Sequence, residues 1–311
     1  MPVENGKPDV LVLRALKLGD LLVAVPALHA LRRAYPGHRL RYAAQGWLAE
    51  ALGLVGGFEL LPTHGLDVPL AVEPGSVDVA VNLHGSGPES QARIDAVRAR
   101  RTIAHGTDHR SGPRWRPDLH ERERWVRLLE WHGIEADPLD FRLDVPPVAS
   151  PVPAATVLHV GAAYGSRLWP ADRFAAVASR LAEAGHSVIF TGSAGERERA
   201  LEVCIRSGLP ATAVLAGNLS LGEFAATIAA ARLVVSADTG AAHLASAYST
   251  PSVVLFGPAP PEIWGPPPGP HVVLTRADLR RGDTFAADPD PALLAVSVQD
   301  VLAAVRDLGV L

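Results

Sequence analysis

The sequence contains very little sulfur and very little lysine. One of its 311 residues is a cysteine, Cys204, and only Lys7 and Lys17 are lysines. A single cysteine excludes a disulfide framework and a cluster of thiolate metal ligands, so we expect Cys204 to be a partly buried structural thiol. Arginine is plentiful, and we therefore attribute the shortage of lysine to the codon bias of a GC-rich genome.

Long apolar runs and an excess of positive charge are also missing. No run approaches the roughly 18 apolar residues of a membrane-spanning helix, and the start, MPVENGKPDVLVLR, has an acid and a proline where a signal peptide needs a basic end and an apolar core. A net charge of −4 argues against a general nucleic-acid binder. We expect a cytoplasmic protein without a transmembrane segment, whose contact with a membrane is at most peripheral.

Short apolar strands alternate with helical segments on both sides of a proline-rich stretch. The length of 311 residues allows two domains, and a hydrophobic content of 48% supports packed cores. Residues 144–156 hold four prolines, which makes them a stiff connection. We predict two Rossmann-like α/β domains, 1–150 and 151–311, facing each other across a cleft that suits two substrates, with the last helix able to pack back on the first domain.

Residues 233–258 carry the strongest local pattern. An apolar strand at 233–237 stops at Asp238, Thr239 and Gly240, and a helix predicted from residue 241 to 248 follows. Its N-terminal N–H groups and positive dipole end form an anion site, and phosphate is the usual occupant. His243, in the first turn, is able to donate to a phosphate oxygen. The alternative is a helix cap beside a histidine with a structural hydrogen bond.

A second ligand-facing edge is predicted near the N-terminus. The strand at 10–13 is followed by a glycine-containing loop, by Asp20 and by a helix to about Tyr35, in which Pro26 predicts a late start or a kink. The loop 82–87 follows another strand, so it opens on the same edge as Asp20. Asp20 is either a carboxylate that faces a ligand or a carboxylate that caps the helix.

Three further segments give structural expectations. In the amphipathic helix predicted at 121–133, Trp125 and Trp131 are expected in the core and Arg122 in water. The two histidines at 105 and 109 lack the supporting ligands of a metal site, so we interpret their segment as a loop. The acidic pair of Asp288-Pro289-Asp290 is interpreted as solvated surface.

Five segments taken together resemble glycosyltransferase family 9, the ADP-heptose lipopolysaccharide heptosyltransferases and their relatives, which have the GT-B fold. They are RALKLGD at 14–20, RLWP at 167–170, LAGNLSLGE at 215–223, DTGAAHLA at 238–245 and FGP at 256–258. They span nearly the whole chain in the order of the family. The resemblance implies an inverting transfer of a sugar, with ADP-heptose the favoured donor, to an acceptor hydroxyl, without a required metal or cofactor.

The resemblance also implies roles for individual residues. Asp20 is the proposed general base and Arg167 the cation that neutralises the leaving diphosphate. The base and ribose of the nucleotide would lie against loops 192–196 and 215–218. The residues implied for donor binding are Asp238, Thr239, Gly240, His243, Ser166, Gly192, Glu196 and Gly217, and those for acceptor binding are Lys17, Gly19, His84 and Ser86.

Two departures from the family pattern bear on the substrates. Ala162 and Ala163 replace hydroxyl residues, so phosphate contacts would come from Ser166, Tyr164 or backbone N–H groups, and the acceptor loop 82–90 has no lysine. The acceptor is accordingly either of the lipopolysaccharide type or a small secondary metabolite. The alternatives are a non-catalytic sugar-nucleotide-binding protein and a GT-B-type sugar-nucleotide epimerase. A nicotinamide dehydrogenase is disfavoured because neither half has G-x-G-x-x-G after its first strand.

Overall fold

The computed structural model describes residues 6–311, and the chain divides after Asp144 into two units. The division falls at the start of the proline-rich segment 144–156. Each unit contains a five-stranded sheet in which every strand pair is parallel. Parallel sheets are buried on both faces, which is why the central strands are almost wholly apolar.

The first unit has the strand order β3-β2-β1-β4-β5. Its strands are β1 Asp9–Leu13, β2 Arg39–Ala44, β3 Phe58–Pro62, β4 Val79–Asn82 and β5 Arg101–Ile103. Its helices are α1 Leu18–Val23, α2 Val25–Ala34, α3 Ala49–Val55, α4 Pro88–Asp95 and α5 Glu121–Trp131. The order reverses between β1 and β4, so the loops after these two strands are neighbours at the carboxyl edge.

The second unit has the order β10-β9-β8-β6-β7. Its strands are β6 Thr156–His159, β7 Val188–Thr191, β8 Leu233–Ala237, β9 Ser252–Leu255 and β10 His271–Leu274. Its helices are α6 Ala171–Glu183, α7 Arg197–Ser207, α8 Leu221–Ala229, α9 Gly240–Tyr248, α10 Pro261–Trp264, α11 Pro291–Leu294 and α12 Val298–Asp307. The last helix, α12, packs against α6, β9 and β10 of its own unit.

Two local expectations are confirmed, the break at Pro26 and the burial of Cys204. The predicted break at Pro26 is present, because α1 ends at Val23 and α2 begins at Val25 with the proline in its first turn. Cys204 is buried, and its thiol sulfur lies 3.3 Å from the carbonyl oxygens of Leu209 and Pro210. No helix within residues 6–311 is both long enough and apolar enough to cross a membrane.

The prediction for one face of α5 is wrong. Trp125 is buried as expected, but Trp131 is 49% exposed and Arg122 only 8%. Trp131 is the last helical residue, and its ring packs edge-on against His132 with ring centroids 4.7 Å apart. The Arg122 guanidinium lies over the ring of Phe141, 5.7 Å from its centroid. Helical periodicity alone does not show which arginine finds an aromatic partner.

The prediction that Asp290 is solvated surface is also wrong. Asp290 is 3% exposed, and its carboxylate accepts from the backbone N–H of Ala292 at 2.9 Å, which caps α11. The same carboxylate accepts from the N–H groups of Arg281 at 3.1 Å and Gly282 at 3.3 Å. Asp290 therefore organises the loop 281–290, whereas Asp288 is exposed.

Replacement of Asp290 by alanine is expected to lower the free energy of unfolding by about 1–2 kcal/mol, the upper range for loss of a helix cap. The cause is the loss of a helix cap together with two loop hydrogen bonds. Thermal and denaturant unfolding measure it. The control is Asp288→Ala, two residues away and exposed, which is expected to match the wild type. Equal stability of the two variants would contradict the role of Asp290.

Candidate active site

The switch point of the second sheet lies between β6 and β8, which are paired through residues 156–159 and 233–236. Ligands of open α/β sheets bind beyond the carboxyl ends of the strands at such a point. The segment after β6 contains Arg167, and the segment after β8 begins with Asp238. The topology therefore brings two sequence-predicted site residues together although 71 positions separate them.

Arg167, Asp238 and His243 form a charged corner at this edge. The Arg167 Nη1 atom is 3.3 Å from the Asp238 Oδ2 atom and donates to the Asp238 backbone carbonyl at 3.2 Å. The His243 Nε2 atom is 3.7 Å from Asp238 Oδ1. Asp238 is 3% and His243 8% exposed, whereas the Arg167 side chain is 26% exposed. The buried carboxylate thus fixes a cation that reaches solvent, which suits a group that meets an anionic ligand.

Thr239 directly precedes α9, at the N-cap position, but its side chain does not cap the helix. Its backbone is extended, with φ −146° and ψ 177°, and its side chain makes no cap hydrogen bond. The Thr239 Oγ1 and Arg167 Nε atoms are both buried and have no hydrogen-bond partner within residues 6–311. Orphaned buried polar atoms are rare in native proteins. Their place at the positive end of a nine-residue helix favours the anion site over the plain helix cap.

The two loops predicted to meet the nucleotide lie against each other. The Gly217 N–H donates to the Gly192 carbonyl at 3.0 Å, and Gly217 has φ +76°, a conformation that favours glycine. The Glu196 carboxylate accepts from the Ser193 N–H at 2.7 Å. It lies so close to Gly161 that a Cβ atom there would collide with the Glu196 carboxyl group. Sequence reasoning missed Gly161, although a glycine directly after a central strand is a usable signal.

Ser166 is enclosed by a later segment of the chain. Its hydroxyl donates to the Thr284 carbonyl at 2.9 Å, its N–H donates to the Ala286 carbonyl at 2.9 Å, and its own carbonyl accepts from Asp290 N–H at 3.0 Å. Ser166 is 1% exposed. The observed contacts hold the segment before Arg167 in place, while the predicted phosphate contact of the Ser166 hydroxyl stays a prediction.

In the first unit, Asp20 lies in the first turn of α1. Its Oδ2 atom accepts from the Lys17 N–H at 3.2 Å, so the helix-capping interpretation describes one of its contacts. The side chain is 26% exposed, which leaves carboxylate surface open to solvent. A capping bond and an accessible oxygen are compatible, since a carboxylate has about four acceptor positions.

His84 neighbours this loop and is held as a neutral ring. Its Nδ1 atom accepts from the Ala15 N–H at 3.2 Å, and its own backbone N–H donates to Asn82 Oδ1 at 3.0 Å. Burial, and then the charge of Arg14, lower the pKa of His84 to about 4. The ring therefore carries its proton on Nε2 at neutral pH and offers a hydrogen-bond donor without a charge.

The other acceptor-side residues are less enclosed. Lys17 and Ser86 are exposed, and Gly19 is half-buried within α1. One further residue, Arg14, was given no role from sequence, although it opens the RALKLGD segment and its side chain is only 1% exposed. Within residues 6–311, no group of three or more histidine, cysteine, aspartate or glutamate side chains is arranged to hold a metal ion.

Comparisons with known proteins agree with the resemblance. The family model described as glycosyltransferase family 9 (heptosyltransferase) matches residues 138–287. Lipopolysaccharide heptosyltransferase 1 of Pseudomonas aeruginosa is 29% identical over 320 aligned positions, which cover 90% of this chain and 85% of that protein. The chain is a glycosyltransferase that is similar to family 9 over residues 138–287.

Two further comparisons extend the evidence for this glycosyltransferase. Lipopolysaccharide heptosyltransferase 2 of Salmonella typhimurium is 30% identical over 158 residues, 48% of this chain and 44% of that protein. The solved structure of a family 9 glycosyltransferase from Veillonella parvula superposes with a TM-score of 0.77 at 20% identity, covering 98% of each chain. Structural similarity at this identity establishes the fold, and the predicted GT-B fold is confirmed.

A second solved structure gives the same fold for the glycosyltransferase. The E. coli ADP-heptose lps heptosyltransferase II superposes with a TM-score of 0.73 at 20% identity, covering 96% of this chain and 98% of that one. The family match covers the corner of Arg167, Asp238 and His243, because all three lie within residues 138–287.

Proposed function

We propose that this glycosyltransferase is an inverting, metal-independent enzyme that moves heptose from ADP-heptose to an acceptor hydroxyl. The observation that carries the proposal is the buried corner of Asp238, Arg167 and His243 at the start of α9, with the orphaned Thr239 hydroxyl beside it. The donor follows from the relatives, since the related E. coli structure is named an ADP-heptose lps heptosyltransferase. The chemistry follows from the residues of the two units.

The second unit binds the donor diphosphate in this proposal. The N-terminus of α9 supplies backbone N–H groups and a positive dipole end, and Thr239 Oγ1 and Arg167 Nε supply two unused polar atoms. When the bond between the anomeric carbon and the diphosphate oxygen breaks, negative charge grows on that oxygen. Arg167 neutralises it with a charge-assisted hydrogen bond, assisted by His243, in the place where other enzymes use a metal ion.

The first unit supplies the base. The Asp20 carboxylate accepts the proton of the acceptor hydroxyl while that oxygen forms a new bond to the anomeric carbon. One displacement with one leaving group inverts the configuration at the anomeric carbon. The products are the glycosylated acceptor, the free nucleoside diphosphate and a proton released from Asp20 to solvent.

The acceptor-side residues favour an acceptor rich in neutral hydroxyl groups. His84 offers a neutral N–H, because its Nδ1 atom already accepts from the Ala15 N–H. Lys17, Gly19 and Ser86 complete the proposed acceptor set. The named relatives are lipopolysaccharide heptosyltransferases, and a lipopolysaccharide core sugar and a small secondary metabolite both carry such hydroxyls. We place the reaction in the cytoplasm, where nucleotide-diphosphate sugars are made.

A thermal-shift panel of ADP, GDP, UDP and dTDP tests the donor. A ligand at about 100 times its Kd stabilises the folded state by about 2.7 kcal/mol, so a specific nucleotide raises the melting temperature measurably. We expect ADP to give the largest shift at equal concentration. A larger shift with any of the other three would overturn ADP as the carrier, and no shift with any nucleotide would overturn the donor site itself.

A further inference from the structure

We propose that Arg14 is a positioning residue for Asp20 and that Glu121 is its buried counter-charge. The structure joins the three side chains in one charge array, with Arg14 between the two carboxylates. The inference rests on the proposed function, in which Asp20 removes the proton of the acceptor. It goes beyond that function by assigning two residues that do not touch the reacting atoms.

The burial of Arg14 is unusual for a charged side chain. It follows β1 directly, its side chain is 1% exposed, and its guanidinium lies 4.7 Å from the centroid of the Trp125 ring. Burial lowers the pKa of Arg14, and the charge of Asp20 acts in the opposite direction. A buried arginine keeps its charge only where carbonyls and carboxylates replace water. The groups that Arg14 contacts therefore indicate which segments it holds in place.

The first partners are backbone carbonyls of two loops. The Arg14 Nε atom donates to the carbonyl of Asp20 at 2.6 Å, and Nη1 donates to the carbonyl of Leu83. Leu83 immediately precedes His84. One guanidinium thus joins the turn that carries the proposed base to the loop that carries the neutral N–H donor, and both loops leave the switch point of the first sheet.

The remaining nitrogen faces both carboxylates. Arg14 Nη2 is 3.7 Å from Asp20 Oδ1 and 3.5 Å from Glu121 Oε2. At 3.7 Å the guanidinium attracts the Asp20 carboxylate without occupying Oδ1 as a hydrogen-bond donor would. This arrangement orients Asp20 and leaves an oxygen available to accept a proton.

Glu121 is fixed from its own helix. Its Oε2 atom accepts from the Trp125 indole N–H at 3.0 Å, and its Oε1 atom forms an ion pair with Arg124, whose side chain is 5% exposed. Glu121 therefore balances two buried arginines. The other titratable groups near Asp20 are the neutral His84, the exposed Lys17 and the buried hydroxyl of Tyr42, whose pKa is raised mainly by burial.

Turnover in two charge variants tests the array. Arg14→Met removes the cation that holds Asp20, and Glu121→Gln removes the counter-charge of Arg14. Both should lower the turnover number while the affinity for ADP stays unchanged. Wild-type turnover in both variants would overturn the inference.

A double-mutant cycle tests whether Arg14 acts through Asp20. Arg14→Met alone should slow turnover of ADP-heptose by about 10²-fold, with ADP affinity unchanged, because a misplaced base loses its geometry. In an Asp20→Asn background the same change should cost no further turnover. Arg14→Lys keeps the positive charge but lacks the planar guanidinium, so its turnover should lie between those of the wild type and Arg14→Met. It provides the test if Arg14→Met does not fold.

The control is Arg122→Lys. Arg122 is also a buried arginine, but it lies in α5 and its guanidinium packs over the Phe141 ring. It should match the wild type in turnover and in ADP affinity. If Asp20→Asn loses turnover but both Arg14 variants match the wild type, the positioning role is wrong and the proposed base stands. If Asp20→Asn itself keeps full turnover, the base and the positioning role both fall.

Discussion

Replacement of Asp20 by asparagine should lower the turnover number by about 10²- to 10⁴-fold, the usual contribution of a positioned general base. The amide has nearly the shape of the carboxylate and is still able to accept from the Lys17 N–H, which donates to Asp20 Oδ2 at 3.2 Å. It cannot accept a proton from an acceptor hydroxyl at neutral pH. The fold and the α1 turn should therefore persist while the chemical step slows. Release of ADP from ADP-heptose, followed under saturating acceptor, measures the effect.

The control for this variant is Asp172→Asn. Asp172 is also an acidic residue in the first turn of a helix, α6, and it is exposed. We expect wild-type turnover from it, and we expect Asp20→Asn to bind ADP with unchanged calorimetric affinity, because the proposed nucleotide site lies in the other unit. An Asp20→Asn enzyme with wild-type turnover would refute the assignment of Asp20 as the base.

Replacement of Arg167 by glutamine should lower turnover by about 10²- to 10³-fold, the usual cost of removing one group that stabilises a developing negative charge. It should also weaken ADP binding, since the diphosphate of the product carries the same charge. The guanidinium in question is the one fixed by Asp238, with Nη1 3.3 Å from Oδ2. Calorimetry gives the ADP affinity, and steady-state kinetics gives the turnover number.

Two variants sharpen the Arg167 test. Arg167→Lys keeps a positive charge but loses the planar fork that contacts Asp238, so we expect a smaller loss. Arg180→Gln removes an exposed arginine of α6 whose Nη1 atom lies 3.1 Å from the Glu183 Oε2 atom, and it should behave as wild type. Unchanged ADP affinity together with unchanged turnover in Arg167→Gln would remove Arg167 from the donor site.

Much of the fold was predictable because buried parallel strands are continuous apolar runs. The strand at 233–237 has the predicted bounds, and the strand predicted at 10–13 begins one residue earlier, at Asp9. The break at Pro26 and the capping box from Ser220 to Glu223 were also predictable, since each depends on residues within one helical turn. Features of this kind depend only on residues that are close together in the sequence.

The wrong predictions involve contacts between distant parts of the chain. An acidic pair beside a proline predicts a solvated loop, but the Asp290 carboxylate accepts from the backbone N–H groups of Arg281 and Gly282. The role of Arg14 is not predictable from its local sequence, because its partners, Leu83 and Glu121, lie far along the chain. Neither helical periodicity nor a capping rule predicts a side-chain contact between segments that follow different strands.

The candidate site likewise combines features that the sequence predicts with contacts that it does not predict. The motif around Asp238 and His243 was visible as a strand, a turn and a helix start, and the corner with Arg167 follows from the strand order. The close approach of Glu196 to Gly161 was not visible, because it depends on how two loops after different strands pack. The strand order therefore predicts which motifs meet at the edge of the sheet, whereas their spacing in the sequence does not.

The most direct measurement is mass spectrometry of the products formed from ADP-heptose with and without a heptose-free lipopolysaccharide core. The account predicts an acceptor heavier by one heptose together with one equivalent of ADP, formed only when the acceptor is present. An altered ADP-sugar released without acceptor, or tight ADP-heptose binding with no product from any hydroxyl acceptor offered, would contradict it.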